Sequence, residues 1–300
     1  MSRRGWLLFV AMGVIWGVPY LLIKVAVSDL SPVTLVLVRT GLGALLLVPL
    51  AASRGSLRQL LPYWKWVLLY TAVEVALPWL FLSDAERRLS SSLTGLLVAA
   101  VPSVGALLGW LTRTDDRLGP RRLLGLALGF LGVAALVGLD VAVRDLGAVG
   151  EVGLVAVGYA TGPMIVARRL SGVSSLGVVA ASLGLTALVY LPLGLTHLPP
   201  ALPPVRVLVA VAILGAVCTA LAFLLFFALI SEVGPVRATV VTYLNPAVAL
   251  ALGVALLGEP FTFGAGVGFV LIVLGSFLAT RRAPAGDLRT ERASLTEPQG

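Results

Sequence analysis

Ten long apolar runs, separated by charged or turn-forming residues, dominate this chain of 300 residues. A helix of about 20 apolar residues matches a hydrocarbon layer of about 30 Å, because each residue adds about 1.5 Å. Each run is long enough for one crossing, so the sequence predicts an all-α integral membrane protein with ten transmembrane helices. The predicted spans cover residues 6–26, 33–52, 64–83, 91–111, 122–139, 149–167, 175–195, 207–230, 236–257 and 263–280.

The composition narrows the possible function classes. Hydrophobic residues make up 59% of the chain and charged residues 12%, more apolar surface than a soluble protein of this size could bury. Soluble enzymes and nucleic-acid-binding proteins are therefore nearly excluded, although the net charge is +8. The only cysteine, Cys218, and the only histidine, His197, can form neither an internal disulfide nor a Cys/His zinc site.

We expect no metal, cofactor or nucleic-acid partner. The expected partners are the lipid bilayer and a small-molecule solute, and the chain is expected to be a monomer or homodimer.

The distribution of positive charge predicts the orientation. If the N-terminus is inside, 16 of the 22 Lys and Arg residues lie on the inner segments. Cytoplasmic loops carry such an excess in membrane proteins. The sequence therefore predicts a multi-pass protein of the cell (inner or plasma) membrane with both termini in the cytoplasm. The polar residues 281–300 are expected to form a disordered cytoplasmic tail.

An internal repeat appears when the chain is shifted against itself by 144 residues. The shift places Pro19 on Pro163 and Pro102 on Pro246, and it also aligns Gly109 with Gly253. Since each half has five spans, the second half must enter the membrane from the opposite side. We therefore expect two inverted five-helix repeats, residues 1–139 and 140–280, an arrangement characteristic of secondary transporters.

The chain resembles the EamA-type family of ten-helix proteins in the drug/metabolite transporter superfamily. The matching features are Trp16-Gly17 with Lys24 in helix 1, Pro32 and Arg39 in helix 2, Asn245-Pro246 in helix 9, and Gly258-Glu259 at its end. The chain departs from the family at Asp115-Asp116, where Gly-Glu is expected, and at Ala160-Thr161, opposite Trp16-Gly17. The resemblance implies outward transport of an amino acid, a related metabolite or a drug-like compound.

Two ionisable residues lie well inside the predicted spans. Glu74 is about 15 Å from the inner end of helix 3, and Arg39 is about 10 Å from the outer end of helix 2. A charge at the bilayer centre costs about 2.5–3.5 kcal/mol, so each needs a partner or water. Glu74 is interpreted as a residue of a central cavity that binds a cationic or amino group of the solute or takes up protons. The alternatives are a structural Glu74–Arg39 ion pair and an unpaired, protonated Glu74.

The matched prolines Pro19, Pro102, Pro163 and Pro246 predict kinks that could act as hinges, because proline removes a helical hydrogen bond. Simple tolerance of proline in membrane helices is the alternative. Polar and aromatic residues near the kinks are the candidates for solute contact, with ordinary packing as the alternative. They are Trp16, Tyr20, Trp79, Tyr159, Thr161, Tyr243 and Asn245.

Two charged residues at span ends are given structural interpretations. Lys24 is expected to extend to the lipid headgroups, and Glu259 to neutralise the amino end of helix 10.

The sequence thus predicts a secondary transporter that works by alternating access and is not an enzyme. A translocator of a lipid or lipid-linked sugar is the alternative, since it would share every global feature. A membrane-embedded enzyme fits less well, because His197 lies in a predicted outer loop.

Overall fold

The structure, a computed structural model, describes residues 2–112 and 119–280. This part of the chain contains ten helices long and apolar enough to cross a membrane, as predicted. The loop residues Asp115-Asp116 and the predicted tail 281–300 lie outside the described residues. The helices are α1 (Arg3–Ala26), α2 (Pro32–Ser53), α3 (Arg58–Arg88), α4 (Ser91–Leu111), α5 (Pro120–Asp140), α6 (Val143–Arg169), α7 (Ser175–Thr196), α8 (Val205–Val233), α9 (Thr239–Leu257) and α10 (Phe263–Thr280).

Local signals set the ends of several helices. Ser31, Ser90 and Ser174 each accept a hydrogen bond from a backbone N–H in the first turn of α2, α4 and α7, respectively. Gly258 ends α9 in the left-handed conformation, with φ of 66°, which residues with a Cβ rarely adopt. Short connections between consecutive helices follow from these caps.

Large apolar side chains cover the outside of the helical bundle. Leu45 and Leu188, for example, are 73% and 66% exposed although they lie in the middle of α2 and α7. Lipid solvates such side chains, whereas water does not. The chain is a multi-pass membrane protein.

The helix contacts repeat between the two halves. The pairs α2–α7, α4–α9 and α5–α10 each join corresponding helices of the two halves. In addition, α1 packs against α8 and α9, while α6 packs against α3 and α4. Exchanging the halves maps this set of contacts onto itself, which supports the predicted repeat. Its inverted orientation stays a prediction.

Four helices are irregular near their middles. α3 contains the π-helical segment Thr71–Ala76, and α8 contains the corresponding segment Ala216–Leu221. α4 is interrupted between Val98 and Val101, and α9 changes from a 3₁₀ helix to an α-helix at Leu244. The irregularities occupy matching positions under the 144-residue shift to within one residue. Such segments often occur at functional sites because they free or redirect backbone groups.

The matched prolines have two kinds of surroundings. Pro19 and Pro163 lie within continuous helices. Pro102 and Pro246 instead lie in the first turn after the interruptions of α4 and α9. The four matched prolines thus lie at two different kinds of site, and their use as hinges stays a prediction.

Lys24 and Glu259 do not have the predicted roles. Lys24 Nζ donates hydrogen bonds to the Glu86 and Leu89 carbonyl oxygens, at 2.6 and 2.7 Å, so it caps the carboxyl end of α3 and does not extend to the headgroups. Glu259 accepts hydrogen bonds from the backbone N–H groups of Ser91 and Ser92, at 2.7 and 2.8 Å. It therefore caps α4 and not α10, because the turn at Gly258 directs its side chain back across the bundle.

The ionisation of Glu259 follows from these bonds. Burial raises the pKa of Glu259, but the hydrogen bonds from Ser92 and Ser91 outweigh burial and hold the pKa below its ordinary value. Its carboxylate thus stabilises the start of α4 at neutral pH. This contribution is present above the unfolded pKa of about 4.3 and is lost as the pH falls through the lower folded value.

Candidate functional site

Arg39 is held between an aromatic ring and a hydroxyl group in the interior of the bundle. It is 7% exposed, and its Cζ lies 3.7 Å from the centroid of the Trp79 ring on α3. Its Nε donates a hydrogen bond of 3.1 Å to Oγ1 of Thr219, which lies in the π-helical segment of α8. The cation–π contact and the hydrogen bond give the buried charge partial compensation. Arg39 thus connects α2 and α3 of the first half with α8 of the second.

Glu74 lies in the π-helical segment of α3 and faces α6. The residue is partly buried, and its Oε2 is buried without a hydrogen-bond partner. A Cβ on Gly162 of α6 would overlap the Glu74 carboxylate, so the glycine makes the space that this carboxylate occupies. A Cβ on the neighbouring Gly158 would likewise overlap the Val73 carbonyl group. The α3–α6 contact therefore depends on two glycines one turn apart.

Glu74 and Arg39 are not paired with each other in this structure. Across residues 2–112 and 119–280, the ion pairs within 4.0 Å do not join these two side chains. The contacts of Arg39 are Thr219 and Trp79, and Glu74 keeps a carboxylate oxygen free. The structural alternative, a pair that locks α2 to α3, is therefore not the arrangement observed.

Two predicted tyrosines lie near Arg39. Tyr20 is buried in α1, and Tyr159 of α6 packs against the same apolar core. Both are near enough to Arg39 for their charge states to be coupled to it, and Tyr159 also packs against the apolar cluster that contains Trp79. We call Tyr20, Arg39, Trp79, Tyr159 and Thr219 the arginine cluster. It joins residues from both halves of the chain, as a site at the interface of two repeats requires.

The other predicted contact residues lie apart from this cluster or have local partners. Trp16 packs against Phe226 of α8, with ring centroids 4.7 Å apart. Thr161 donates a hydrogen bond to the Val157 carbonyl of its own helix. The Tyr243 hydroxyl is bonded to α10, 2.9 Å from Thr280 Oγ1. These contacts fit the packing interpretation of Trp16, Thr161 and Tyr243.

Asn245 differs from those three residues. It begins the α-helical part of α9, directly after the interruption, and its backbone carbonyl faces Gly17 of α1. Its Oδ1 is buried without a hydrogen-bond partner. A buried amide oxygen without a partner is unfavourable by about 1–3 kcal/mol, so Asn245 remains a candidate for solute contact.

Sequence reasoning missed two polar residues of the interior. Thr219 was not singled out, because a lone threonine in an apolar span carries no sequence signal. Glu86 lies outside the predicted span 64–83, since Asp84-Ala85-Glu86-Arg87-Arg88 has the composition of the charged end of a span. In the structure α3 continues to Arg88, and Glu86 is 0% exposed. Its spacing of four residues from the buried Leu82 was the available signal.

The arrangement offers complementary groups to a polar solute. Glu74 provides a carboxylate oxygen, and Asn245 an amide oxygen, that are without partners. Arg39 provides a positive charge, and Nε is its only nitrogen with a described hydrogen-bond acceptor. The Trp79 ring lies against that charge. These groups bind and orient; they do not form a nucleophile–base pair of the kind that enzymes use.

Comparisons with known proteins concern the family and the fold. The sequence profile of the EamA-like transporter family matches residues 3–138 and again residues 152–281. A protein described as uncharacterized transporter YvbV, from Bacillus subtilis (strain 168), is 25% identical over 291 residues, covering 95% of this chain and 94% of that protein. A crystal structure of a protein that is 22% identical shares the fold, with a TM-score of 0.66 over 94% of this chain and 100% of the other.

Proposed function

The chain belongs to the EamA-like transporter family and is a membrane transporter, and we propose that it is a secondary transporter for a small organic solute that carries an amino group. Amino acids and related metabolites are the class that fits best. The solute moves outward by alternating access between the two halves.

Glu74 carries this proposal. A carboxylate oxygen buried near the middle of the membrane without a hydrogen-bond partner is unfavourable unless a proton or a cationic group joins it. The residue as a whole is only partly buried, and we infer that an amino group of a solute reaches its carboxylate from the accessible side. The space that Gly162 leaves for the carboxylate shows that the contact between α3 and α6 accommodates this side chain without a partner.

Arg39 supports a solute that also carries a carboxylate. With Nε bonded to Thr219, the terminal nitrogens face no described acceptor and are available to a bidentate partner. The Trp79 ring fixes the plane of the guanidinium. A solute that places an amino group at Glu74 and a carboxylate at Arg39 has the two groups of an amino acid.

The matched irregular segments support alternating access. The interruptions in α4 and α9 and the π-helical segments in α3 and α8 lie at corresponding places in the two halves. Irregular backbone at membrane depth is tolerated where it is buried in protein or lines a cavity. We infer that these segments, with Pro19, Pro102, Pro163 and Pro246, are the bends about which the halves move.

The proposed location is the cell membrane, with both termini in the cytoplasm. It is supported by the positive residues on the segment between α2 and α3 and at the carboxyl end of α6. In that orientation Glu86, Glu259 and the α3–α4 turn lie toward the outer face, called below the predicted outer face.

The proposal is tested by comparing cells that express the protein with matched cells that lack it. We expect one or a few amino acids, or their close derivatives, to be less abundant inside the expressing cells and more abundant in the medium. Unchanged amounts of all amino-bearing metabolites, together with a redistributed lipid or lipid-linked sugar, would contradict the proposal and favour the translocator.

A further inference from the structure

Glu86 presents a separate problem from Glu74. It lies twelve residues further along α3, is 0% exposed, and both of its carboxylate oxygens are buried without a hydrogen-bond partner. An ionised carboxylate in such a place is unfavourable by several kcal/mol unless it is paired. Glu86 must therefore have a ligand that is too small to need a cavity, or a cation beside it.

The neighbouring positive charges are engaged with other groups. Lys24 Nζ donates to the backbone carbonyls of Glu86 and Leu89, and none of the described ion pairs joins it to the Glu86 carboxylate. Arg39 is turned toward Trp79 and Thr219. Arg88 pairs with Glu151 of α6, at 2.5 Å, and with Asp84. The positive charges of these residues partly offset a negative charge on Glu86. None of the described hydrogen bonds joins them to its carboxylate oxygens.

Lys24 and Arg39 favour the ionised form of Glu86, whereas burial and the nearby Glu259 favour its neutral form. Glu259 interacts with Glu86 electrostatically as a like charge from the α9–α10 connection. Because Glu259 is itself fixed as an anion by Ser91 and Ser92, a second negative charge at Glu86 is opposed.

We propose that Glu86 is a proton-binding site, distinct from the Glu74 site, and that it couples proton entry to outward movement of the solute. When the carboxylate takes up one proton its charge changes from −1 to 0, and when it releases the proton the charge returns. A proton fits the site because it requires no space. The coupling part of this inference rests on the proposed function, whereas the proton site does not.

A cavity on the side of the predicted outer face lies beside residues that adjoin Glu86. This cavity, of about 210 Å³, is lined by Arg88, Leu89, Ser92, Asp140 and Pro260, among other residues. Ser92 donates a hydrogen bond to Glu259, at 2.5 Å, and Glu259 is the anion that acts on Glu86. Chains of acidic side chains of this kind serve as proton relays in membrane transporters.

The site itself is tested by infrared spectroscopy of the purified full-length protein at neutral pH. We expect the wild type to show the carbonyl band of a protonated carboxyl group and Glu86→Gln to lose part of that band. Asp84→Asn is the matched control, because Asp84 lies on the same helix but is accessible and paired with Arg88; it should leave the band unchanged. A band that is identical in the wild type and Glu86→Gln would show an ionised Glu86 and overturn the site.

A second variant covers failure of Glu86→Gln to fold. Glu86→Asp keeps a carboxyl group, and a protonated aspartic acid should shift the band without deleting it. An unshifted band would contradict the assignment equally.

The coupling is tested in proteoliposomes loaded with a mixture of common amino acids and a pH-sensitive dye. On dilution, amino-acid release should acidify the lumen with the wild type and Asp84→Asn, but not with Glu86→Gln. Release by the wild type without acidification would overturn the coupling. Absence of release would contradict the proposed function instead, and the infrared spectra would still decide whether Glu86 holds a proton.

Discussion

Arg39 and Glu74 show two ways in which this protein accommodates a charge within the membrane. Arg39 is compensated by an aromatic ring and a hydroxyl group, so its charge is held in place whether or not a solute is present. Glu74 keeps a buried oxygen without a partner, so its state depends on what binds there. The first is therefore suited to orient a solute and the second to respond to it.

This difference predicts the effect of removing the Glu74 charge. Glu74→Gln keeps the side-chain size but cannot attract an amino group, and loss of one contact worth about 1.4 kcal/mol alone reduces binding about tenfold. We expect transport of the amino-bearing solute to fall by about that factor or more. Amino-acid export from expressing cells measures it, with membrane-inserted protein quantified in parallel.

The control for that experiment is Glu232→Gln. Glu232 is an exposed acid near the end of α8 that accepts a hydrogen bond from Ser2. Its substitution should leave export unchanged. Near-normal export by Glu74→Gln would show that the carboxylate has no part in solute recognition.

At the scale of residues, the sequence indicates a buried charge where that charge interrupts an apolar run, but not where it lies at the end of a run. Glu74 and Arg39 stand out because their neighbours in sequence are apolar. Glu86 does not, because Asp84, Arg87 and Arg88 surround it and these three are on the accessible side of α3. The packing of α1, α4 and α6 decides which side of the end of α3 is buried. A local stretch of sequence therefore does not show it.

At the scale of helices, glycines decide how closely α3 approaches α6. The Val73 carbonyl oxygen lies where a Cβ of residue 158 would be, whereas a Cβ on Gly153 would meet nothing within 4 Å. Both residues lie on α6, so they form a matched pair. The α3–α6 contact requires a glycine at position 158 but not at position 153.

Gly158→Ala should therefore destabilise the protein by about 1–3 kcal/mol through overpacking of the α3–α6 contact. Gly153→Ala should be neutral or slightly stabilising, since alanine favours a helix over glycine by about 1 kcal/mol. Thermal unfolding of the two purified variants in detergent makes the comparison. Equal midpoints would mean that the α3 π-helical segment can move away from α6 without cost.

The irregular segments themselves could not be predicted from the sequence. Thr71–Ala76 has no glycine or proline, and its composition is that of an ordinary apolar helix. The segment is π-helical because of where α6 and α7 contact it, including the 2.9 Å hydrogen bond from Thr71 Oγ1 to Ser182 Oγ. Pro102 and Pro246 did indicate where α4 and α9 change, although the interruptions come just before the prolines.

At the scale of the whole molecule, the ten spans were predictable because lipid requires long apolar helices, which leave a strong signal in composition. The 144-residue shift also indicated which helices correspond. The pairing of α2 with α7 and of α5 with α10 was not predictable, because it depends on close approach at residues such as Gly43, Gly132 and Gly268.

The predicted orientation is tested with a cysteine at Ser53, which is exposed at the end of α2. A membrane-impermeant thiol reagent should label Ser53→Cys in inside-out vesicles but not in intact cells. Ser28→Cys, exposed between α1 and α2, is the matched control and should show the reverse. The native Cys218 is 2% exposed and should contribute little background. Labelling of Ser53→Cys from outside would reverse the orientation.

Transport by purified protein in sealed vesicles tests the central claim most directly. Proteoliposomes that hold the wild-type chain and an amino-bearing solute should release it without ATP, and those with Glu74→Gln should release it about tenfold more slowly or not at all. Release that strictly requires ATP, or equal release by the two proteins, would contradict a secondary transporter whose solute site includes Glu74.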